Sequence, residues 1–151
     1  MEKDIKNIDL NTTAEIFGYA RISVDIEKED DKNTSIENQI DFIEDYAKTH
    51  FPKAELTVFK DRDRSGYTFE QREQYQLMRK RLMSGEVKIL IVKDFSRFSR
   101  RNSLGLYELE LLRDAGVRII SISDAIDFPT HDEWLQIQFR FLLNEQPVTD
   151  T

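Results

Sequence analysis

Between Ile16 and Ile122 short apolar runs alternate with longer amphipathic segments, and few folds accommodate that order. Ile16–Ile22 (IFGYARI), Glu55–Phe59 (ELTVF), Val87–Val92 (VKILIV) and Val117–Ile122 (VRIISI) have the length of strands. Ile36–Ala47, Gln71–Met83 and Leu104–Ala115 lie between them and have the length of helices. In the first of these, Ile36, Ile40, Ile43 and Ala47 recur at i, i+4, i+7 and i+11, one face of a helix that Phe42 and Tyr46 widen. VKILIV is nearly all apolar, the pattern of a parallel strand covered on both faces. Ser84-Gly85 and Ala115-Gly116 stop the second and third helices just before a strand. The β-α-β-α-β-α-β series predicts a three-layer α/β domain. Its sheet is mostly parallel with four to five strands, helices cover both faces, and the crossovers are right-handed.

With 151 residues the chain has the size of one domain. Residues 1–15 are polar and aperiodic and are expected to form a flexible arm, so the domain is assigned to 16–131. Residues 132–151 open with DEWLQIQFRFLLNEQ, whose apolar positions, Trp134, Phe139 and Leu142 among them, are too broad for a solvated helix. They are read as the start of a longer oligomerisation helix that the sequence cuts short. No stretch approaches the ~20 consecutive apolar residues of a membrane span, and no signal-peptide run opens the chain. Zero Cys removes disulfides, thiol catalysis and thiolate metal sites and fits a cytoplasmic location.

The net charge of −7 taken alone argues against a polyanionic partner. It is unevenly spread: residues 1–50 carry six basic and thirteen acidic side chains, so the remainder is neutral and holds two locally basic stretches. These are Lys60–Arg81 and Lys93–Arg101, with arginines at 62, 64, 72, 97, 100 and 101 and also at 79 and 81. Arginine's planar fork meets phosphate oxygens in pairs, which lysine cannot do. A solvated face laced with ion pairs is the other reading of such runs.

Ligands of parallel α/β sheets gather at the carboxyl ends of the strands. The first strand ends in Tyr19-Ala20-Arg21-Ile22-Ser23, where alternation puts Tyr19, Arg21 and Ser23 on one face. The third ends in Lys93-Asp94-Phe95-Ser96-Arg97-Phe98-Ser99-Arg100-Arg101, where one helical turn aims Arg97 and Arg100 the same way. The second leads into Asp61-Arg62-Asp63-Arg64-Ser65-Gly66. A Ser-His-Asp triad lacks a histidine near Ser23, since His50 and His131 lie far along the chain. GxSxG, HExxH, GxxxxGK[ST] and GxGxxG are all absent. What survives is a serine among guanidinium groups, suited to attack on a phosphodiester whose transition state gathers charge on its non-bridging oxygens. Phe95 and Phe98 read as packing anchors.

Tyr19-Ala20-Arg21-Ile22-Ser23, Ser35-Ile36-Glu37-Asn38-Gln39, Ser65-Gly66, Arg72 and KDFSRFSR at 93–100 together resemble the catalytic domain of serine recombinases, the resolvase/invertase family. The KDFSRFSR form is similar to the large-recombinase branch from mobile elements, although many smaller members carry Asp at the position of Ser96. The resemblance covers about Ile16 to Glu145. It implies that Ser23 is the nucleophile, forming a 5′-phosphoserine link to DNA and freeing a 3′-hydroxyl without metal, ATP or other cofactor. It further implies that Arg21, Arg97 and Arg100 bind the scissile phosphate, with Arg72, Gln39 and Ser65 assisting; Tyr19, Asp94 and Ser96 complete the candidate set. Gln39 and Ser65 alternatively only cap or brace their segments. Arg97 and Arg100 alternatively pair with Asp94 and Glu108 on the surface. Partners implied are double-stranded recombination sites and further copies of the chain, dimeric and then tetrameric in the synaptic complex. No helix-turn-helix or basic arm is visible, so sequence-selective recognition is expected from outside this stretch, which alone is expected to be inactive. A non-catalytic α/β module that binds a phosphorylated partner or regulates assembly is the competing reading.

Overall fold

The computed structural model describes residues 7–23, 35–63, 72–95 and 102–128. Strands β1 (Glu15–Ser23), β2 (Glu55–Asp63), β3 (Ile89–Val92), β4 (Arg118–Ser121) and β5 (Ile126–Phe128) form one sheet in the order β2-β1-β3-β4-β5. The first four strands are parallel, and β5 closes one edge antiparallel to β4. The helices are α1 (Asn7–Leu10), α2 (Ile36–His50), α3 (Glu73–Met83) and α4 (Asn102–Asp114). The mostly parallel α/β architecture is therefore the one expected from the alternation. The expected helix over 132–151 lies outside the described residues.

Strand alternation divides the core. Phe17 and Tyr19 of β1 and Leu90 and Val92 of β3 pack with Tyr75, Met78 and Leu82 of α3 and Leu109 and Leu112 of α4. Ile16, Ile91 and Ile120 point the other way and pack with Ile43 and Ala47 of α2 and with Phe51. Helices thus cover both faces, giving three layers. Gly18 permits the close approach of α2, since a Cβ there would lie 2.7 Å from Cγ2 of buried Ile43.

Local chemistry sets the ends of the helices. Ser35 caps α2 by accepting the Asn38 N–H at 3.0 Å. Gly85 and Gly116 take positive φ, and both helix ends close in the same way. After α3, Glu86 N–H donates to the Arg81 carbonyl and Gly85 N–H to Leu82; after α4, Val117 and Gly116 do the same to Leu112 and Arg113. Strand β2 runs four residues beyond the expected Phe59, because β1 pairs with it over nine residues from Glu15↔Glu55 to Ser23↔Asp63.

Two expectations change. Residues 7–15 are not a loose arm: Asp9 is 4% exposed and receives the Arg118 guanidinium in paired bonds of 2.8 and 2.9 Å. Arg118 also donates to Asp127 of β5, from Nε at 2.8 Å and Nη2 at 2.6 Å, so one fork ties α1 and the edge strand to β4. Phe42 does not widen the buried stripe of α2. It is exposed, and the Lys93 ammonium sits 4.9 Å from its ring centroid. Gln39 is buried in its stead.

The chain leaves β1 for β2 on one side and returns to β3 on the other, so the direction of winding reverses between β1 and β3. Outside the carboxyl ends of those two strands is where such sheets hold ligands. Strand β1 runs four residues past its last pairing with β3, Tyr19↔Val92, and carries Arg21 and Ser23 into that position.

Candidate active site

Tyr19 and Arg21 occupy alternate positions near the end of β1, and Tyr19 packs on the face covered by α3. The backbone at Arg21 is held by a side-chain clamp. Gln39 of α2 accepts the Arg21 N–H at 3.0 Å through Oε1 and donates from Nε2 to the Arg21 carbonyl at 2.9 Å. Both groups of one amide are therefore spent on a single strand residue. Gln39 is buried and braces β1. Ser23 is the last residue of β1, paired with Asp63 of β2.

The Tyr19 phenol is fully buried and donates to Oδ2 of Asp61 at 2.7 Å. The same carboxylate accepts the Gln74 N–H through Oδ1 and the Tyr75 N–H through Oδ2, each at 3.0 Å. Asp61 stands in β2 opposite Arg21 and caps α3 from a different element, since Arg72 at the N-cap makes no side-chain cap of its own. Fixing the first turn of α3 in this way also fixes Arg72. The Arg72 side chain, 5% exposed, and the Arg21 side chain, 3% exposed, both act electrostatically on the Tyr19 phenol. Two of the sequence-predicted arginines therefore lie within electrostatic reach of Tyr19.

Burial, opposed by Arg72 and reinforced by Asp61, pushes the Tyr19 phenol far above its ordinary range. Tyr75 is raised by burial and then by the neighbouring Glu108 carboxylate. Neither phenol gives up its proton near neutral pH, so both serve as fixed donors and neither as a base. The Tyr75 ring meets the Tyr19 ring edge to face at 5.2 Å.

At the end of β3, Lys93 donates to Oδ1 of Asn38 at 3.2 Å, and Asp94 is half-buried. Phe95 is fully buried, the packing anchor expected of it. Its N–H donates to Oδ2 of Asp124 at 3.0 Å, and the Ser121 hydroxyl donates to the same oxygen at 2.7 Å. Asp124 therefore fixes where the arginine-bearing segment leaves the sheet. Ser65, Ser96, Arg97, Phe98 and Arg100 lie outside the described residues. Glu108 is 5% exposed and is taken by the Tyr75 hydroxyl and by Arg79 Nε at 2.6 Å. Asp61, Asp124 and Glu108 were missed by sequence reasoning because each acts on residues remote along the chain. Among the described residues no group of three or more His, Asp or Glu side chains is arranged to hold a metal, and no helix is long and apolar enough to cross a membrane.

The sequence profile described as Resolvase, N terminal domain matches residues 16–146. The chain belongs to the resolvase family. No curated protein sequence matches it significantly. Among solved structures, the N-terminal catalytic domain of TP901-1 integrase is similar in fold, with a TM-score of 0.66 at 20% identity over 89% of this chain and 97% of that one. A resolvase family site-specific recombinase from Streptococcus pneumoniae gives a TM-score of 0.64 at 23% identity, covering 90% and 91%. The C-terminal catalytic domain of ISC1926 TnpA, an IS607-like serine recombinase, gives 0.56 at 25% identity, covering 82% and 77%. This resolvase-family chain is a site-specific recombinase catalytic domain, and the competing reading as a non-catalytic module is not favoured.

Proposed function

We propose that Ser23 attacks a DNA phosphodiester held by Arg21 and Arg72 together with Arg97 and Arg100. The Ser23 Oγ–phosphorus bond forms as the bond from phosphorus to the 3′ oxygen breaks. The serine hydroxyl loses its proton and the departing 3′ oxygen gains one, so the products are a 5′-phosphoserine ester and a free 3′-hydroxyl. The ester keeps the bond energy needed for rejoining, and reversal onto a new 3′-hydroxyl completes strand exchange.

The reading rests on one observation: two buried arginines from separate elements, Arg21 near the end of β1 and Arg72 at the start of α3, both act electrostatically on the buried Tyr19 phenol near the carboxyl ends of the strands where the sheet reverses. Fixed cations there would stabilise the charge that gathers on phosphate oxygens in the transition state. The phenol and the Gln39 amide contribute position, because their polar atoms are engaged with protein groups. Assembly as dimers and tetramers through the apolar positions from Trp134 onward belongs to the same proposal.

The test uses the full-length protein and a pool of random-sequence duplexes nicked so that cleavage traps the ester. A covalent adduct resistant to denaturing electrophoresis is expected from the parent. Ser23→Ala is expected to give none while retaining DNA binding, and an undiminished adduct from that variant overturns the proposal.

A further inference from the structure

We infer that Glu108, on α4, is a positioning residue for the arginine pocket, acting through Tyr75. The inference rests on the recombinase reading for its consequence and on geometry for its mechanism. Glu108 is almost wholly buried, and its carboxylate accepts from the Tyr75 hydroxyl and from Arg79, both on α3. Tyr75 in turn touches the pocket twice. Its ring packs against the ring of Tyr19, and its N–H shares Asp61 Oδ2 with the Tyr19 hydroxyl. A chain of hydrogen-bonded and packed groups therefore runs from α4 through Tyr75 to Asp61 and Tyr19, the phenol on which Arg21 and Arg72 both act electrostatically.

A buried carboxylate would be a poor choice for packing alone, since desolvating it costs more than burying a hydrocarbon of similar size. What it supplies is a fixed orientation, because a carboxylate with two charge-assisted or short bonds holds both donors at once. The two donors are one helix turn apart on α3, so the contact fixes that helix in rotation as well as in distance. Glu108 lies eight residues after Arg100 in the sequence, so the helix it belongs to follows directly on the second arginine-bearing segment.

Glu108→Gln and Tyr75→Phe are the variants, each removing a charge or one oxygen while keeping shape. Amide hydrogen exchange at Arg21, Gln74 and Tyr75 is expected to rise roughly tenfold in both, the factor one lost buried hydrogen bond carries. Ile119 and Ile120 of β4 serve as the control and are expected to exchange as in the parent. In full-length protein the rate of adduct formation at saturating DNA is expected to fall roughly tenfold, with the half-saturating DNA concentration within about twofold. The double variant is expected to be no slower than either single one, because both cut the same link. Unchanged exchange at Arg21, Gln74 and Tyr75 overturns the inference, as does a lowered unfolding temperature with exchange raised equally everywhere. If the parent forms no adduct, the recombinase reading fails, while the exchange comparison still decides whether Glu108 holds the pocket.

Discussion

Replacing Asp61 by Ala removes three hydrogen bonds at once, and the structure allows their loss to be apportioned. Two of them cap the first turn of α3 at Gln74 and Tyr75, a loss worth about 1 kcal/mol in comparable helices. The third leaves the Tyr19 hydroxyl, which has no exposure to water, without its acceptor, at a cost of about 1–3 kcal/mol. The variant should therefore lose about 2–4 kcal/mol, read from urea unfolding followed by circular dichroism. The larger share is the stranded phenol, so adding Tyr19→Phe should recover about 1–2 kcal/mol even though it deletes a further polar atom. A loss from Asp61→Ala below about 0.5 kcal/mol, or a double variant no more stable than the single one, would refute the assignment of Asp61 as the group that joins β1 to the start of α3.

Arg118→Ala should cost about 2–3 kcal/mol in urea unfolding, because the buried Asp9 carboxyl loses both of its paired donors; a change under about 0.5 kcal/mol contradicts the clamp. Ala125 is exposed and has φ of 57°, a left-handed conformation that glycine adopts without its steric cost, so Ala125→Gly should raise stability by about 0.5–1 kcal/mol; a lowered midpoint contradicts it. The Thr57 hydroxyl, followed by Arg81, holds the Glu15 carboxyl below its ordinary range. A lowered folded-state value gives stability that is present above the unfolded value and lost as pH falls through the folded one. The stability gap between parent and Glu15→Gln should thus be present at pH 7 and shrink as pH falls below about 4, and a gap that does not change with pH argues against the contact.

How far the sequence went depended on whether the responsible groups are neighbours along the chain. The buried positions Ile36, Ile43 and Ala47 and the caps at Ser35, Gly85 and Gly116 are local, and each was legible from spacing or residue type. Strand β5 has three residues, too few to show a period, and its turn carries alanine where the conformation favours glycine. Residues 7–15 looked unstructured because what docks them is one aspartate reaching an arginine 109 positions away. Phe42 was misread because periodicity cannot tell a core aromatic from one that lies under a lysine.

The site divides along the same line. Arg21, Ser23 and Gln39 could be nominated because strand alternation and the family motifs lie within short stretches of sequence. Asp61 bonds to residues 13 and 14 positions on, Asp124 to one 29 positions back and Glu108 to one 33 positions back. No spacing rule covers such contacts. Their carboxylates instead resembled ordinary surface charge, and only burial distinguishes Asp61 and Glu108 from it.

The decisive measurement is peptide mapping of the covalent complex trapped on a nicked duplex, with mass spectrometry to locate the nucleotide. The account expects a single modified peptide, ending β1, with the DNA attached to the Ser23 oxygen through its 5′ phosphate. DNA on any other side chain, or joined through a 3′ phosphate, would contradict the roles proposed for Ser23 and for the arginines.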